Sequence, residues 1–171
     1  MSTFLTADQE ALASEIAELL IARGERVAVA EATTGGLISA ALLWVAGASR
    51  YYAGGGVVYT LNSRIALVGV PAEQYANYQG TTPELLAFLA EAMRERLGVA
   101  WAIAESGLAG PTGGRSGAPA GRTTMAVAGP VARTQVIETG SADRGANMVE
   151  FTTGSLRFLR DAILEAAPVV A

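Results

Sequence analysis

The sequence predicts a single α/β domain spanning residues 1–171, with a mixed β-sheet covered by helices on both faces. Three observations lead there. Helical and strand-like segments alternate early in the chain, as crossovers between parallel strands require. A glycine-proline pair later joins two consecutive strand-like runs, the mark of a hairpin. The length suits one domain with a real core, and no linker or internal repeat divides it.

The opening helix is legible from its cap. Thr6-Ala7-Asp8-Gln9 has the form of a capping box, and Leu12, Ile16, Leu19 and Leu20 recur at helical spacing until Arg23-Gly24 closes the run. Residues 26–30 read as a short buried strand, opening through Glu31 into the loop Thr33-Thr34-Gly35-Gly36 and a second helix over residues 37–45. Residues 51–60, rich in Tyr and Val, read as a strand in which Gly54-Gly55-Gly56 marks a bulge or close backbone approach. A short helix is expected over residues 62–68.

Thr82-Pro83-Glu84 then starts a helix, with Thr as cap and Pro at the first helical position. Leu85, Leu89, Ala92, Met93 and Leu97 form its expected apolar face, and Gly98 closes it. Residues 99–104 are a further buried strand, running into Glu105 and the loop from Ser106 to Gly114. Residues 123–128 and 133–138 pair through Gly129-Pro130. The last helix covers residues 144–165, with Met148, Phe151, Ser155, Phe158 and Leu159 on one side. Trp44 and Trp101 are read as core residues, and Tyr51 and Tyr52 as core or a subunit contact.

Composition narrows the chemistry. The net charge is −4 and the arginines are scattered, which excludes the clustered basic surface of a nucleic-acid binder. No run of about 20 apolar residues is present to cross a membrane. The first residues lack the basic and apolar regions of a secretory signal, so a cytoplasmic location is expected. All 12 basic residues are arginine, and histidine and cysteine are absent. Histidine acid/base catalysis, Ser-His triads, Cys nucleophiles, Schiff bases, Ser-Lys dyads and the usual zinc ligands are thereby removed. No carboxylate cluster suggests a metal site, and no cofactor is expected. Chemistry would fall to Ser, Thr, Tyr, Asp, Glu, Arg or backbone amides.

The two glycine loops follow predicted buried strands, the place where open α/β sheets bind ligands. The first also leads into a helix, whose N-terminal amides favour an anion or a developing oxyanion. A small-molecule ligand is therefore expected on Thr33, Thr34, Gly35 and Gly36 of the first loop. From the second it would meet Ser106, Gly107, Gly110, Pro111, Thr112, Gly113 and Gly114. Neither loop fits GxGxxG, and a phosphate-binding P-loop needs a lysine that the chain lacks.

At these residues the sequence resembles the CinA C-terminal domain family, whose best-known members are nicotinamide mononucleotide deamidases. The resemblance runs through residues 30–38, Gly47-Ala48-Ser49-Arg50-Tyr51-Tyr52, Gly55-Gly56-Val57-Val58-Tyr59, residues 106–114, Pro119-Ala120-Gly121 and residues 140–144. It implies a three-layer α/β/α sandwich and a homo-oligomer, dimer or larger. It also implies a nucleophilic serine in an E-S-x-T-G-G loop and a lysine base after a V-x-Y-x-N segment. Here Ala32 stands at the serine position, and Arg64 at the lysine position. Arginine does not deprotonate usefully near neutral pH. The arginine before the last helix is matched by Arg144, implied to bind ligand, while a second one a turn later is Met148. Tyr59 and Thr34 are retained.

Glu31 and Glu105 precede the two loops. If their strands are neighbours, both carboxylates lie near one pocket, where burial and repulsion raise at least one pKa into the range of a general acid or base. The alternative is that each caps loop amides or pairs with Arg122 or Arg64, and for Glu31 this structural role is preferred. Tyr59 reads either as an acid or orienting group or as a half-buried strand residue. Thr33 and Thr34 suit ligand hydrogen bonding better than nucleophilic attack, because no base adjoins them. Two functions remain. One is hydrolysis of an amide or C–N bond of a small heterocyclic or nucleotide-like molecule, with water activated by Glu105 or Glu31 and loop amides holding the oxyanion. The other is ligand binding without catalysis.

Overall fold

The computed structural model describes residues 4–168. Helix α1 (Ala7–Arg23) begins at the predicted capping box: the Thr6 side chain accepts from Gln9 N and the Gln9 side chain accepts from Thr6 N. Strand β1 (Val27–Glu31) leads through the first glycine loop into α2 (Leu37–Trp44). Strand β2 (Tyr52–Val57) is followed by the helical turn α3 (Leu61–Ser63), which continues as a π-helical turn, Arg64–Val68. Then come α4 (Pro83–Leu97), β3 (Trp101–Leu108), β4 (Arg122–Ala128), β5 (Arg133–Glu138) and α5 (Arg144–Glu165).

The strands form one sheet in the order β2-β1-β3-β4-β5. β1 runs parallel to both β2 and β3, while β3, β4 and β5 are antiparallel neighbours. The expected mixed sheet, covered on both faces, is what the chain forms.

Strand alternation divides the core. Val27, Val29, Trp101, Ile103, Met125 and Val127 point to one face, where they pack with the apolar sides of α1, α2 and α5. The residues between them, Ala28, Ala30, Ala102, Ala104, Ala126 and Ala128, point to the other. Register places Ala28 beside Ala102 and Ala102 beside Ala128, so this face is a floor of methyl groups. Such a floor lets α4 lie close, and Leu86, Leu89, Ala90 and Met93 bury themselves on it.

The face of α4 thus differs from the predicted one: Leu85 is only partly buried and Leu97 is 40% exposed, because the contact stripe is rotated towards Leu86 and Ala90. Trp101 is buried as expected, its indole N–H donating to Glu25 Oε2 at 2.6 Å. Trp44 is not core. It ends α2 and is 40% exposed. Tyr51 is core, its hydroxyl donating to the Leu42 carbonyl, whereas Tyr52 is half-buried. Among the described residues no helix is long and apolar enough to cross a membrane.

Candidate functional site

The site follows from where β1 and β3 end. Their parallel register places Glu31 beside Glu105, and Ala32 N donates to Glu105 O just beyond. Alternation then sorts the side chains. Glu31 continues the row of Val27 and Val29, and Glu105 that of Trp101 and Ile103, so both carboxylates turn to the α2 face. Ala32 and Ser106 continue the alanine rows on the other side.

Both glutamates are fully buried and engaged. Glu31 Oε2 accepts from Thr34 Oγ1 at 2.6 Å, Gly36 N at 3.0 Å and Ile38 N at 3.1 Å, and Oε1 accepts from Ser39 N at 3.0 Å. The amides at the start of α2 therefore already hold an anion, the carboxylate of Glu31. This corrects the expectation that they receive a ligand or an oxyanion. Glu105 Oε1 accepts from Thr123 Oγ1 at 2.6 Å, and Oε2 from Thr34 N at 3.0 Å.

The Thr34 hydroxyl also lies 3.1 Å from Glu105 Oε2. It has one proton to give, and the shorter contact to Glu31 takes it. The longer contact is a hydrogen bond only when Glu105 carries a proton. Burial pushes the Glu105 carboxyl above the usual range; the bonds from Thr123 and Thr34 pull it back, and neighbouring Glu31 adds to the upward push. The two carboxylates do adjoin and one pKa is raised, as the sequence suggested. Neither reaches Arg64 or Arg122, however, and neither lines the cavity described next.

On the opposite side of the strand ends lies a cavity of about 680 Å³. Of the predicted site residues it takes in Ala32, Thr33, Tyr59, Arg64, Ser106, Gly107, Gly113 and Gly114. Thr34, Gly35, Gly36, Gly110, Pro111, Thr112 and Arg144 lie outside its lining. Arg144 instead donates to Gly110 O at 2.7 Å, holding the second loop to the start of α5. Met148, at the position of the family's second arginine, sits against the first loop, its Cε 3.1 Å from where a side chain on Gly35 would begin. Tyr59 is past the end of β2 and 59% exposed, and so is a cavity-rim residue rather than a half-buried strand residue.

Thr33 staples the loops together, accepting from Gly107 N at 2.7 Å and donating to Gly107 O at 2.9 Å. Gly107 permits this approach. A Cβ there would stand 2.5 Å from Thr123 Oγ1 and 2.6 Å from Arg122 O.

The deepest charged group in the cavity wall is Arg64, only 3% exposed. Its Nε donates to Val58 O at 3.1 Å and its Nη2 to Ser106 Oγ at 2.8 Å. Ser106 Oγ also lies 3.0 Å from Thr81 Oγ1, which lies 3.2 Å from Tyr78 OH. The result is a chain of hydroxyls ending on a guanidinium. The same charge eases the upward shift that burial imposes on the Tyr75 hydroxyl. Among the described residues no carboxylate pairs with Arg64. Arg115 and Arg122 line the cavity as well, and no acidic side chain does.

Sequence reasoning missed Thr81, Tyr78, Arg115 and Arg122 as lining residues. Signals existed: Thr81 adjoins a threonine already committed to capping α4, and Arg115 is a lone charge in a loop of small residues. Among the described residues no group of acidic side chains is arranged to hold a metal ion.

With this geometry in place, comparison with known proteins is direct. A CinA-like protein of Prochlorococcus marinus is 42% identical over 123 residues, covering 72% of this chain and 29% of its own length. One from Gloeobacter violaceus is 35% identical over 161 residues, covering 92% of this chain and 38% of its own. The chain thus spans about a third of the length of these relatives. The crystal structure of competence damage-inducible protein A from Klebsiella pneumoniae superposes with a TM-score of 0.86 at 28% identity, covering 92% of this chain and 98% of that one. The competence/damage inducible protein of Agrobacterium tumefaciens gives 0.86 at 27% identity, covering 96% and 100%. The sequence profile of the CinA C-terminal domain matches residues 9–163, and the chain belongs to that family.

Proposed function

We propose that this domain binds a small anionic, nucleotide-like molecule in the cavity beside Ala32 and does not hydrolyse it by the serine route that the family resemblance implies. The observation that carries this reading is the cavity wall itself, in which Arg64 and Arg115 have no carboxylate partner among the described residues, Arg122 is paired with Glu138 at 2.7 Å, and no acidic side chain lines the cavity. An excess of fixed positive charge in a concave, partly desolvated site favours an anion.

The hydrolytic alternative asked Glu105 or Glu31 to activate water. Both carboxylates lie on the far side of the strands, fully buried and bound to Thr34, Thr123 and the α2 amides. A base must lie within hydrogen-bond reach of the proton it takes, directly or through one water. The hydroxyl beside Ala32, that of Ser106, accepts from a guanidinium, a donor that holds it in place without deprotonating it.

The test is calorimetric titration with nicotinamide mononucleotide and its acid counterpart, together with an ammonia-release assay on the amide. The wild type is expected to bind at least one of the pair and release no ammonia, while Ala32→Ser/Arg64→Lys gains release. Ammonia release by the wild type at a rate comparable with the double variant would overturn the reading.

A further inference from the structure

We infer that the inner end of the cavity, formed by Arg64, Ser106, Thr81 and Ala32, is a carboxylate subsite that takes an acid in preference to the matching carboxamide. The inference rests on the anion-binding reading above and names the group that enters deepest. Arg64 is 3% exposed and permanently charged. Buried charges are costly unless paired, and no carboxylate of the described residues pairs with this one.

Its neighbours are all neutral: Nε donates to Val58 O, Nη2 donates to Ser106 Oγ, and the buried Tyr75 hydroxyl lies beside the guanidinium. A guanidinium carries five N–H groups in a planar fork, more than these three neighbours take up, and Arg64 lines the cavity.

The neighbours make the preference sharper. With Arg64 donating to it, Ser106 Oγ keeps its own proton to give, either to Thr81 or to a ligand. The Thr81 hydroxyl, held between Ser106 and Tyr78, can turn its proton to a ligand while accepting from either neighbour. The inner wall is therefore rich in donors, and a carboxylate is an acceptor at both oxygens. A carboxamide of the same shape has one acceptor oxygen and one NH₂; a hydroxyl can turn to accept from that NH₂, but the Arg64 guanidinium has no acceptor, so the amide forgoes the charge-assisted second contact that a carboxylate makes there. Ala32 completes the subsite by presenting only a methyl group beside Ser106, so nothing in that wall attacks the bound carbon.

The experiment compares the dissociation constants of nicotinate mononucleotide and nicotinamide mononucleotide, which differ only in acid against amide, on the full chain by calorimetry. The acid is expected to bind at least about tenfold more tightly, since a site built for one hydrogen-bonding group rejects an isostere that leaves its polar groups unpaired. In Arg64→Gln that advantage is expected to vanish, and in Ser106→Ala to narrow. Ser106→Ala leaves the buried guanidinium in place and so serves if Arg64→Gln fails to fold. Equal binding of acid and amide by the wild type would sink the carboxylate subsite and leave the anion-binding cavity standing. An acid preference unchanged in a folded Arg64→Gln would equally sink the role given to Arg64. Binding of neither would overturn both.

Discussion

The adjoining glutamates give the most exacting test, through Glu105→Gln. Glu105 is fully buried, and burial followed by the proximity of Glu31 raises its pKa in the folded chain. Below the ordinary glutamate value of about 4.3, folded and unfolded chains are both protonated and the group is silent. As pH rises past it, the unfolded chain releases its proton while the folded chain resists. The native state then binds more protons, so stability falls with pH until the folded pKa is passed. Each unit of elevation costs about 1.4 kcal/mol above that point, or roughly 3–5 °C in Tm for a domain of this size.

Glutamine removes the titration and fits the same cradle. Its oxygen accepts from Thr34 N, and its NH₂ donates to Thr123 Oγ1, a hydroxyl able to accept. Urea denaturation of wild type and variant from pH 4 to pH 8 is the assay, and the stability difference is expected to move in the variant's favour as pH rises. A difference independent of pH, or one moving towards the wild type, would show that Glu105 folds as an ordinary ionised carboxylate.

Glu31→Gln is expected to behave oppositely. Its two oxygens take four donors, and an NH₂ must face at least one of them, so a loss of about 2–4 kcal/mol at neutral pH should appear in the same denaturation experiment. Gly107→Ala puts a methyl group 2.5 Å from Thr123 Oγ1 and 2.6 Å from Arg122 O, so a Tm fall equivalent to about 2 kcal/mol or more is expected, with the Thr33 staple loosened and ligand affinity reduced.

The fold was legible because several levels of the sequence agreed. The Thr6 capping box, the Thr82-Pro83 start and the glycines at 24 and 98 bounded α1 and α4 by local chemistry alone. Trp44 was misread because hydrophobicity does not say which end of a short helix overhangs the core; α2 stops at that residue and leaves it 40% exposed. The face of α4 was misread for a related reason. An apolar stripe wide enough to include Leu85 and Leu86 does not fix its rotation, which the alanine floor settles.

The site was legible in position and not in orientation. Two loops at the ends of adjacent strands mark where the cavity opens, while closeness in sequence to those loops leaves Glu105 open to a catalytic reading and does not say which way either glutamate turns. The decisive information was the alternation Val27-Ala28-Val29-Ala30-Glu31 and Trp101-Ala102-Ile103-Ala104-Glu105, in which each glutamate shares the parity of the large residues. Large residues mark the thick layer of α1, α2 and α5; alanines mark the side where the sheet is thin and the cavity opens. A carboxylate in phase with Val and Ile is thus committed to the core, where it can hold a loop by its amides. A residue one position later, Ala32 or Ser106, faces the cavity. That single step separates Glu31 from Ala32 and Glu105 from Ser106. On the proposed reading, it is why a glutamate at position 105, outside the cavity lining, does not stand in for a serine at position 32.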